Sequence, residues 1–375
     1  MEKRKMKILL FEEYSSLHNN LAKGLKELGH HVTLVGNGNS FRDFPRDIDI
    51  KRGKGRLAGL WHYLHLWRLL PLFSGYDIVQ LINPDCFGLK AERQYPFYHN
   101  LRHHNKKMVV GAFGCDWYWV DDGIHHQTFR YGDFYIGDKR RTDFAARKFI
   151  DEYINTPKGE YTRYVMEDAD WIPTCLYEYQ TCYSRYFPNK TQFIPLPVVC
   201  EYDTPVHTYD NKKVRFFIGI DKERSIYKGT DIMYKALQDV ALRHPEKCEI
   251  VKAESLPFEE YTQLMNRCDV ILDQLYSYTP SMNSLLAMSK GIIVVGGGEP
   301  ENYEIINEDT LRPIINVEPT YESVCSQLEW LLDNTNQINR LKEESIAYVK
   351  KHHDYRKVAK QYEVMYEALL QSSCQ

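Results

Sequence analysis

Apolar and polar positions in the first half of the chain alternate between two periods. Lys7-Ile8-Leu9-Leu10-Phe11 is a short, nearly continuous apolar run, the form of a strand buried on both faces. A polar turn from Glu12 to Ser16 follows. Leu17, Leu21, Leu25 and Leu28 then mark one face of a helix that Gly29 closes. Further strands are expected at 32–35, 77–82, 108–113 and 171–174. Spacing of this kind predicts a parallel, doubly wound sheet.

The alternation breaks at 195–213, which carries three prolines and no sustained period, and then restarts. Residues 214–220 read as a strand. A helix from about residue 230 buries Ile232, Met233, Ala236, Leu237 and Val240. Strands at 248–251, 270–272, 292–295 and 313–315 follow, and the chain from 321 onward reads as helical. The expectation is an α/β protein of two Rossmann-like domains facing a cleft. The first spans 1–200, the second 201–354, and a helix over 355–375 crosses back to the first. Ligands in such sheets sit beyond the carboxyl ends of the strands.

The length of 375 residues suits two cores rather than one, and a formal net charge of −3 leaves no basic footprint for nucleic acid. The apolar run near the start ends at Phe11, strand length rather than signal or spanning length. Nine scattered cysteines with no C-x-x-C pair read as reduced thiols, so a cytoplasmic location is expected.

Two segments carry candidate chemistry. Arg224 and Lys228 lie four residues apart between the strand 214–220 and its helix, just before Gly229 and Thr230. A diphosphate needs fixed positive charge; guanidinium binds it bidentately and ammonium acts as a point charge. The same spacing suits a solvated loop with a glycine turn. Asp273 and Gln274 end the strand 270–272, and a helix follows with Thr279 as its expected cap and Pro280 at its first position. Its amides are expected to face a phosphate or ribose. A capped core helix would read alike.

Taken in order, these segments resemble retaining GT-B glycosyltransferases of the family 4, group 1 type, which build capsule, O-antigen and related glycans. The resemblance rests on Arg224…Lys228-Gly229-Thr230, on Val270-Ile271-Leu272-Asp273-Gln274, on Leu285-Leu286-Ala287-Met288-Ser289-Lys290-Gly291, and on Gly296-Gly297-Gly298-Glu299-Pro300-Glu301 after the strand 292–295. Gly29-His30-His31-Val32, Phe113-Gly114-Cys115-Asp116 and Ala169-Asp170 are similar to N-terminal motifs of the same family. It implies a nucleotide-sugar donor as co-substrate, a glycan or lipid-linked acceptor, retention of configuration and no metal or other cofactor. Arg224 and Lys228 would hold the donor diphosphate, and Gly297 and Gly298 would let backbone approach it. Asp116 would be the catalytic-site carboxylate of the first domain. The family's two helix-region glutamates fall on Tyr278 and Leu286, and its histidine on Phe113, so Asn283, Ser284 or Glu301 would take the ribose.

Other segments add less. Basic residues at 51–56 precede an aromatic, apolar stretch to residue 73, a pattern that suits a peripheral membrane contact at the inner face of a membrane as well as an ordinary packed helix. The tyrosine-rich stretch 121–168 suits either an acceptor-binding segment or a helical flap. Asp47-Ile48-Asp49, Asp168-Ala169-Asp170 and the pairs His125-His126 and His352-His353 lack the spacing of a metal site. The turn after the first strand lacks G-x-G-x-x-G, which argues against a dinucleotide oxidoreductase. A protein that binds a nucleotide sugar or glycan without turnover is the competing class.

Overall fold

The computed structural model of the protein describes residues 5–38, 43–200, 208–210, 212–221, 224–254 and 256–372; part of the expected linker, 201–207 and 211, lies outside them. The chain opens with β1 (Lys7–Phe11), α1 (Leu17–Glu27), β2 (His31–Gly36), β3 (Ile48–Asp49), α2 (Ala58–Leu69), β4 (Ile78–Leu81), α3 (Ala91–His104) and β5 (Lys107–Val110). It continues through α4 (Trp117–His125), a small hairpin of β6 (Tyr135–Ile136) and β7 (Lys139–Arg140), α5 (Phe144–Tyr153), α6 (Pro157–Asp168), β8 (Ile172–Thr174), α7 (Tyr177–Tyr186) and β9 (Thr191–Phe193). The second half runs β10 (Val214–Ile220), α8 (Ser225–Lys228), α9 (Thr230–Arg243), β11 (Cys248–Glu254), α10 (Phe258–Met265), β12 (Val270–Leu272), α11 (Met282–Ser289) and β13 (Ile293–Val295). Four helices close it: α12 (Pro300–Ile305), α13 (Tyr321–Asp333), α14 (Ile338–His352) and α15 (Tyr355–Gln371).

Two compact units emerge from this order. Unit 1 comprises the described residues of Met1–His126, Lys148–Pro197 and Tyr355–Gln375; unit 2 comprises those of Gln127–Arg147 and Val198–Asp354. The hairpin of β6 and β7 therefore groups with unit 2, although in sequence it lies far ahead of the rest of that unit.

In unit 1 a five-stranded sheet has the order β3-β2-β1-β4-β5, every pair parallel, with Ile8 opposite both Val32 and Ile78. Strands β8 and β9 extend it through bridges from Val109 to Trp171 and from Ala112 to Thr174. Ile8, Leu9, Leu10 and Phe11 are all fully buried, as a strand covered by helices on both faces requires. The direction of winding reverses between β1 and β4, which marks the switch point where such sheets open a ligand crevice.

Helix α15 packs against α1 and carries polar groups into this core. The Met6 amide donates to His30 Nδ1, which leaves the ring proton on Nε2, 2.9 Å from Glu363 Oε1. Tyr366 donates to Gln80 at 2.8 Å, and both are buried.

Unit 2 has the parallel order β11-β10-β12-β13, with Phe216 opposite Ile250 and Val270, and Ile271 opposite Val294. Its core gathers Phe216, Ile218, Met233, Leu237, Leu328 and Leu331 from strands and from the helices α9 and α13. The strand expected at 313–315 contributes only a single bridge, Ile315 to Val295. Lys342 reaches Asp269 at 2.9 Å with both side chains almost wholly buried.

Candidate functional site

The predicted residues of unit 2 converge beyond the carboxyl ends of β10, β12 and β13. The loop leaving β10 forms the single turn α8, with exposed Arg224 ahead of it and its guanidinium 5.5 Å from the Tyr227 ring. Lys228 ends the turn with its ammonium 3.8 Å from Asp273 Oδ1. Gly229 follows at φ 72°, and a Cβ there would lie 2.6 Å from Leu275 Cβ, so the loop after β12 packs directly on this glycine. The Leu275 amide donates to the Lys228 carbonyl at 2.9 Å, which fixes the two loops to each other. Thr230 is buried, its hydroxyl 3.0 Å from that of Ser225.

Asp273 is buried and accepts hydrogen bonds from the hydroxyls of Ser281 (2.7 Å) and Ser284 (2.8 Å). Gln274 turns the chain with φ 53°, a left-handed conformation rare outside glycine. Ser281, not Thr279, caps α11, because its hydroxyl accepts from the amides of Asn283 and Ser284 while donating to Asp273. The expected cap at Thr279 and helical start at Pro280 are thus displaced by two residues. The expectation of unoccupied helix-start amides fails for those two, since the serine already satisfies them. Asn283 donates to the Tyr261 hydroxyl at 2.9 Å.

After β13 the chain makes a glycine turn. A Cβ on Gly296 (φ 117°) would fall 2.4 Å from the Asp273 carbonyl oxygen, so only glycine lets these two strand ends close together. Gly297 lies against the Thr279 carbonyl, and the Gly298 amide donates to Asn316 Oδ1 at 3.2 Å.

Sequence reasoning missed the group that covers this turn. The Arg130 guanidinium bridges Glu301 Oε1 (2.5 Å) and Glu299 Oε2 (2.7 Å) and lies 4.8 Å from the Tyr278 ring. Its amide donates to the Tyr278 hydroxyl at 2.7 Å, and Tyr131 donates to Glu299 Oε1 at 2.5 Å. Hydrogen bonding to Arg130 holds the Glu301 carboxyl below its ordinary range. Further along, Arg141 is buried, donates to the carbonyls of Ile226 (3.1 Å) and Tyr227 (3.2 Å), and stacks 4.3 Å from the Tyr276 ring. It thereby caps the α8 turn that presents Lys228. A two-residue Gly137-Asp138 loop joins β6 to β7, with Gly137 at φ 56°. Such a loop is the one short-range signal in the sequence for this hairpin.

Unit 1 holds a second feature. At the carboxyl ends of β1, β2 and β4 a cavity of about 430 Å³ is lined by Glu12, Glu13, Asn37 and Asp85, with Lys51 and Arg52 also bordering it. Glu12 (φ 66°) is buried, and burial pushes its carboxyl up to about 7 against the opposing hydrogen bond from the Asn37 amide. Glu13 accepts from Asn19 through Oε2, while its buried Oε1 has no hydrogen-bond partner among the described residues. Asp85 pairs with Lys158 at 3.0 Å. Ser15 and Ser16 also have left-handed φ, so this non-glycine loop is held in strained backbone beside the cavity.

Asp116 lies elsewhere in unit 1, wholly buried at the start of α4, where it accepts from the Trp119 amide at 3.1 Å. Burial raises its carboxyl to about 6, opposed by Tyr183 and the helix amides. Of the two D-x-D pairs, Asp49 binds Arg46 while Asp168 and Asp170 bind Arg102. Among the described residues no cluster of three metal-ligating side chains occurs.

No family model matches the sequence, and no curated protein matches it. Solved structures do share the fold. Sucrose-phosphate synthase from Thermosynechococcus elongatus superposes with a TM-score of 0.62 at 11% identity, over 98% of this chain and all of that one. HepE from Anabaena, solved with UDP and glucose, gives 0.60 at 10% identity over 97% of this chain and all of its own. The catalytic domain of starch synthase IV from Arabidopsis thaliana, bound to ADP and acarbose, gives 0.59 at 9% identity over 98% and 100%. These neighbours are GT-B glycosyltransferases, and the fold of this chain is GT-B, an α/β arrangement of two Rossmann-like units.

Proposed function

We propose that this protein transfers a sugar from a nucleoside-diphosphate donor to a glycan or lipid-linked acceptor, with retention of configuration. The observation that carries the reading is the convergence of loops at the strand ends of unit 2: Lys228 lies 3.8 Å from Asp273, the Leu275 amide holds the Lys228 carbonyl, and the Gly296 turn closes on Asp273, with Arg224 exposed at the head of the same α8 turn. The fold neighbours solved with UDP or ADP are in keeping with it. Arg224 binds the diphosphate through its guanidinium. Lys228 exchanges its long contact with Asp273 for a phosphate oxygen, so the two cations stabilise charge as it develops on the leaving nucleoside diphosphate. They take the role a divalent ion has in other sugar transferases. Gln274, half-buried after β12, is offered to ribose and sugar, while Thr230 and Ser284 are buried and hold the two loops through Ser225 and Asp273.

The acceptor belongs to the unit 1 cavity. Glu12 and Glu13 there accept hydrogen bonds from sugar hydroxyls, and the partnerless Glu13 Oε1 gains a donor. Asp116, buried at the start of α4, serves this unit by capping that helix. The setting is the cytoplasm.

A second reading has its own observation. Tyr278 and Leu286 stand where the resembled family has glutamates, and Glu301 and Tyr278 are already engaged by Arg130. A protein so arranged binds nucleotide sugar without turning it over.

Calorimetry with nucleoside diphosphates tests the donor site. Arg224→Ala and Lys228→Ala are each expected to weaken binding by about 1–3 kcal/mol. Unchanged affinity in both variants would show that the site is misassigned. Turnover of any nucleotide sugar separates the enzyme from the binding protein.

A further inference from the structure

Helix α2 is amphipathic the wrong way round. Its inward positions are Ala58, His62 and Leu66, and the His62 ring bonds the Phe87 carbonyl at 2.8 Å. Its outward positions are Leu57, Leu60, Trp61, Leu64 and Trp67, exposed and recurring at three- and four-residue spacings of the helical period, and exposed Leu72 follows in the next turn of chain. Trp61 is 65% exposed and Leu57 60%. Of the thirteen exposed large apolar residues described in the whole chain, six belong to this one stripe, so it is a patch rather than scatter. Trp67 is anchored beneath by the Phe97 ring at 5.2 Å, which keeps the face rigid.

Charge accompanies the stripe. Lys51, Arg52, Lys54 and Arg56 are exposed immediately before it, Arg68 is exposed within it, and no acidic residue occurs between Asp49 and Asp77. A packed core helix would bury the leucines and tryptophans and give the basic run acidic neighbours. Here the leucines and tryptophans stay exposed, and in the basic run Lys51 pairs with Asp43 only at the long distance of 3.9 Å.

We propose that the outward face of α2, with the basic run 51–56, docks this protein on an anionic lipid surface. The twelve-residue helix is too short to span a bilayer, and no described helix is long and apolar enough to cross one, so α2 lies in the plane of the interface. Tryptophan rings and leucines enter the boundary between headgroups and acyl chains, while the lysines and arginines meet lipid phosphates. Lys51 and Arg52 belong both to this run and to the unit 1 cavity, so a docked molecule holds that cavity beside the lipid headgroups.

Co-flotation with vesicles tests this without reference to any sugar transfer. The full chain is expected to float with vesicles of mixed phosphatidylcholine and phosphatidylglycerol, less with phosphatidylcholine alone, and less at raised salt. Trp61→Glu with Leu64→Glu should abolish flotation, and Lys54→Glu with Arg56→Glu should lower it by about five-fold or more per residue on the anionic vesicles only. All four side chains are exposed, and an unchanged melting temperature confirms that each variant is folded. Failure of the wild type to float on anionic vesicles, or equal flotation by the variants, overturns the proposal. Light scattering covers the competing occupant: a two-chain mass reduced to one by Trp61→Glu, without vesicle binding, would assign the face to a second copy of the chain.

Discussion

Glu12→Gln offers a test whose size follows from the structure. Burial moves the Glu12 carboxyl from 4.5 to about 7, a displacement worth roughly 3 kcal/mol at 1.36 kcal/mol per pH unit. Below about pH 4.5 the group is protonated folded or unfolded and contributes no difference. Between 4.5 and 7 the folded state holds the proton more tightly, so stability falls as pH rises, and above about 7 the full cost of a buried carboxylate is present. Glutamine matches the protonated form in shape and can still accept from the Asn37 amide. The left-handed backbone at residue 12 is common to both proteins, so its strain cancels in the comparison. Wild type and variant should therefore melt together near pH 4.5, with the variant more stable at pH 8 by about 3 kcal/mol. For a unit of this size the gap is about 6–12 °C in the transition of unit 1. Differential scanning calorimetry at the two pH values reads it. A gap that does not change with pH, or one favouring glutamate at pH 8, would refute the placement of Glu12 as a buried carboxyl.

Two further expectations concern unit 2. Arg130→Ala removes the bridge to Glu299 and Glu301, and because the guanidinium is half exposed the loss of stability should be only about 1 kcal/mol. Limited proteolysis should nonetheless cut faster within 127–147, and an unchanged cleavage rate would mean the ion pairs do not hold the hairpin. Lys342→Met strands Asp269 as a buried charge and should cost about 3–5 kcal/mol, read by thermal unfolding, with a loss below 1 kcal/mol contradicting the buried pair.

Much of the fold was legible because parallel strands covered by helices leave unbroken apolar runs, as at Ile8–Phe11 and Val270–Leu272. Tyr135-Ile136 and Lys139-Arg140 carry no such run, and only Gly137-Asp138 marks the hairpin between them. The glycine turn and the Lys228 loop were readable from local chemistry, since φ and close approach restrict residue choice there. Arg130, which is 169 residues from Glu299 in sequence, was not, because nothing local in a lone arginine names its partner. Glu12 and Glu13 read as a polar turn; only the fold shows that they are buried at the switch point of the sheet. The cap moved from Thr279 to Ser281 because Asp273, invisible to a local rule, accepts the serine proton.

Helix α15 also sets a schedule. It supplies Glu363 to His30 and Tyr366 to Gln80, yet residues 198–354 are synthesised between it and the rest of unit 1. At roughly 5–20 residues per second that interval lasts about 8–30 s. Throughout it the sheet of the first-made unit exists with an uncovered flank and two inward polar groups awaiting partners. Completion of unit 1 is thus timed by the translation of its neighbour.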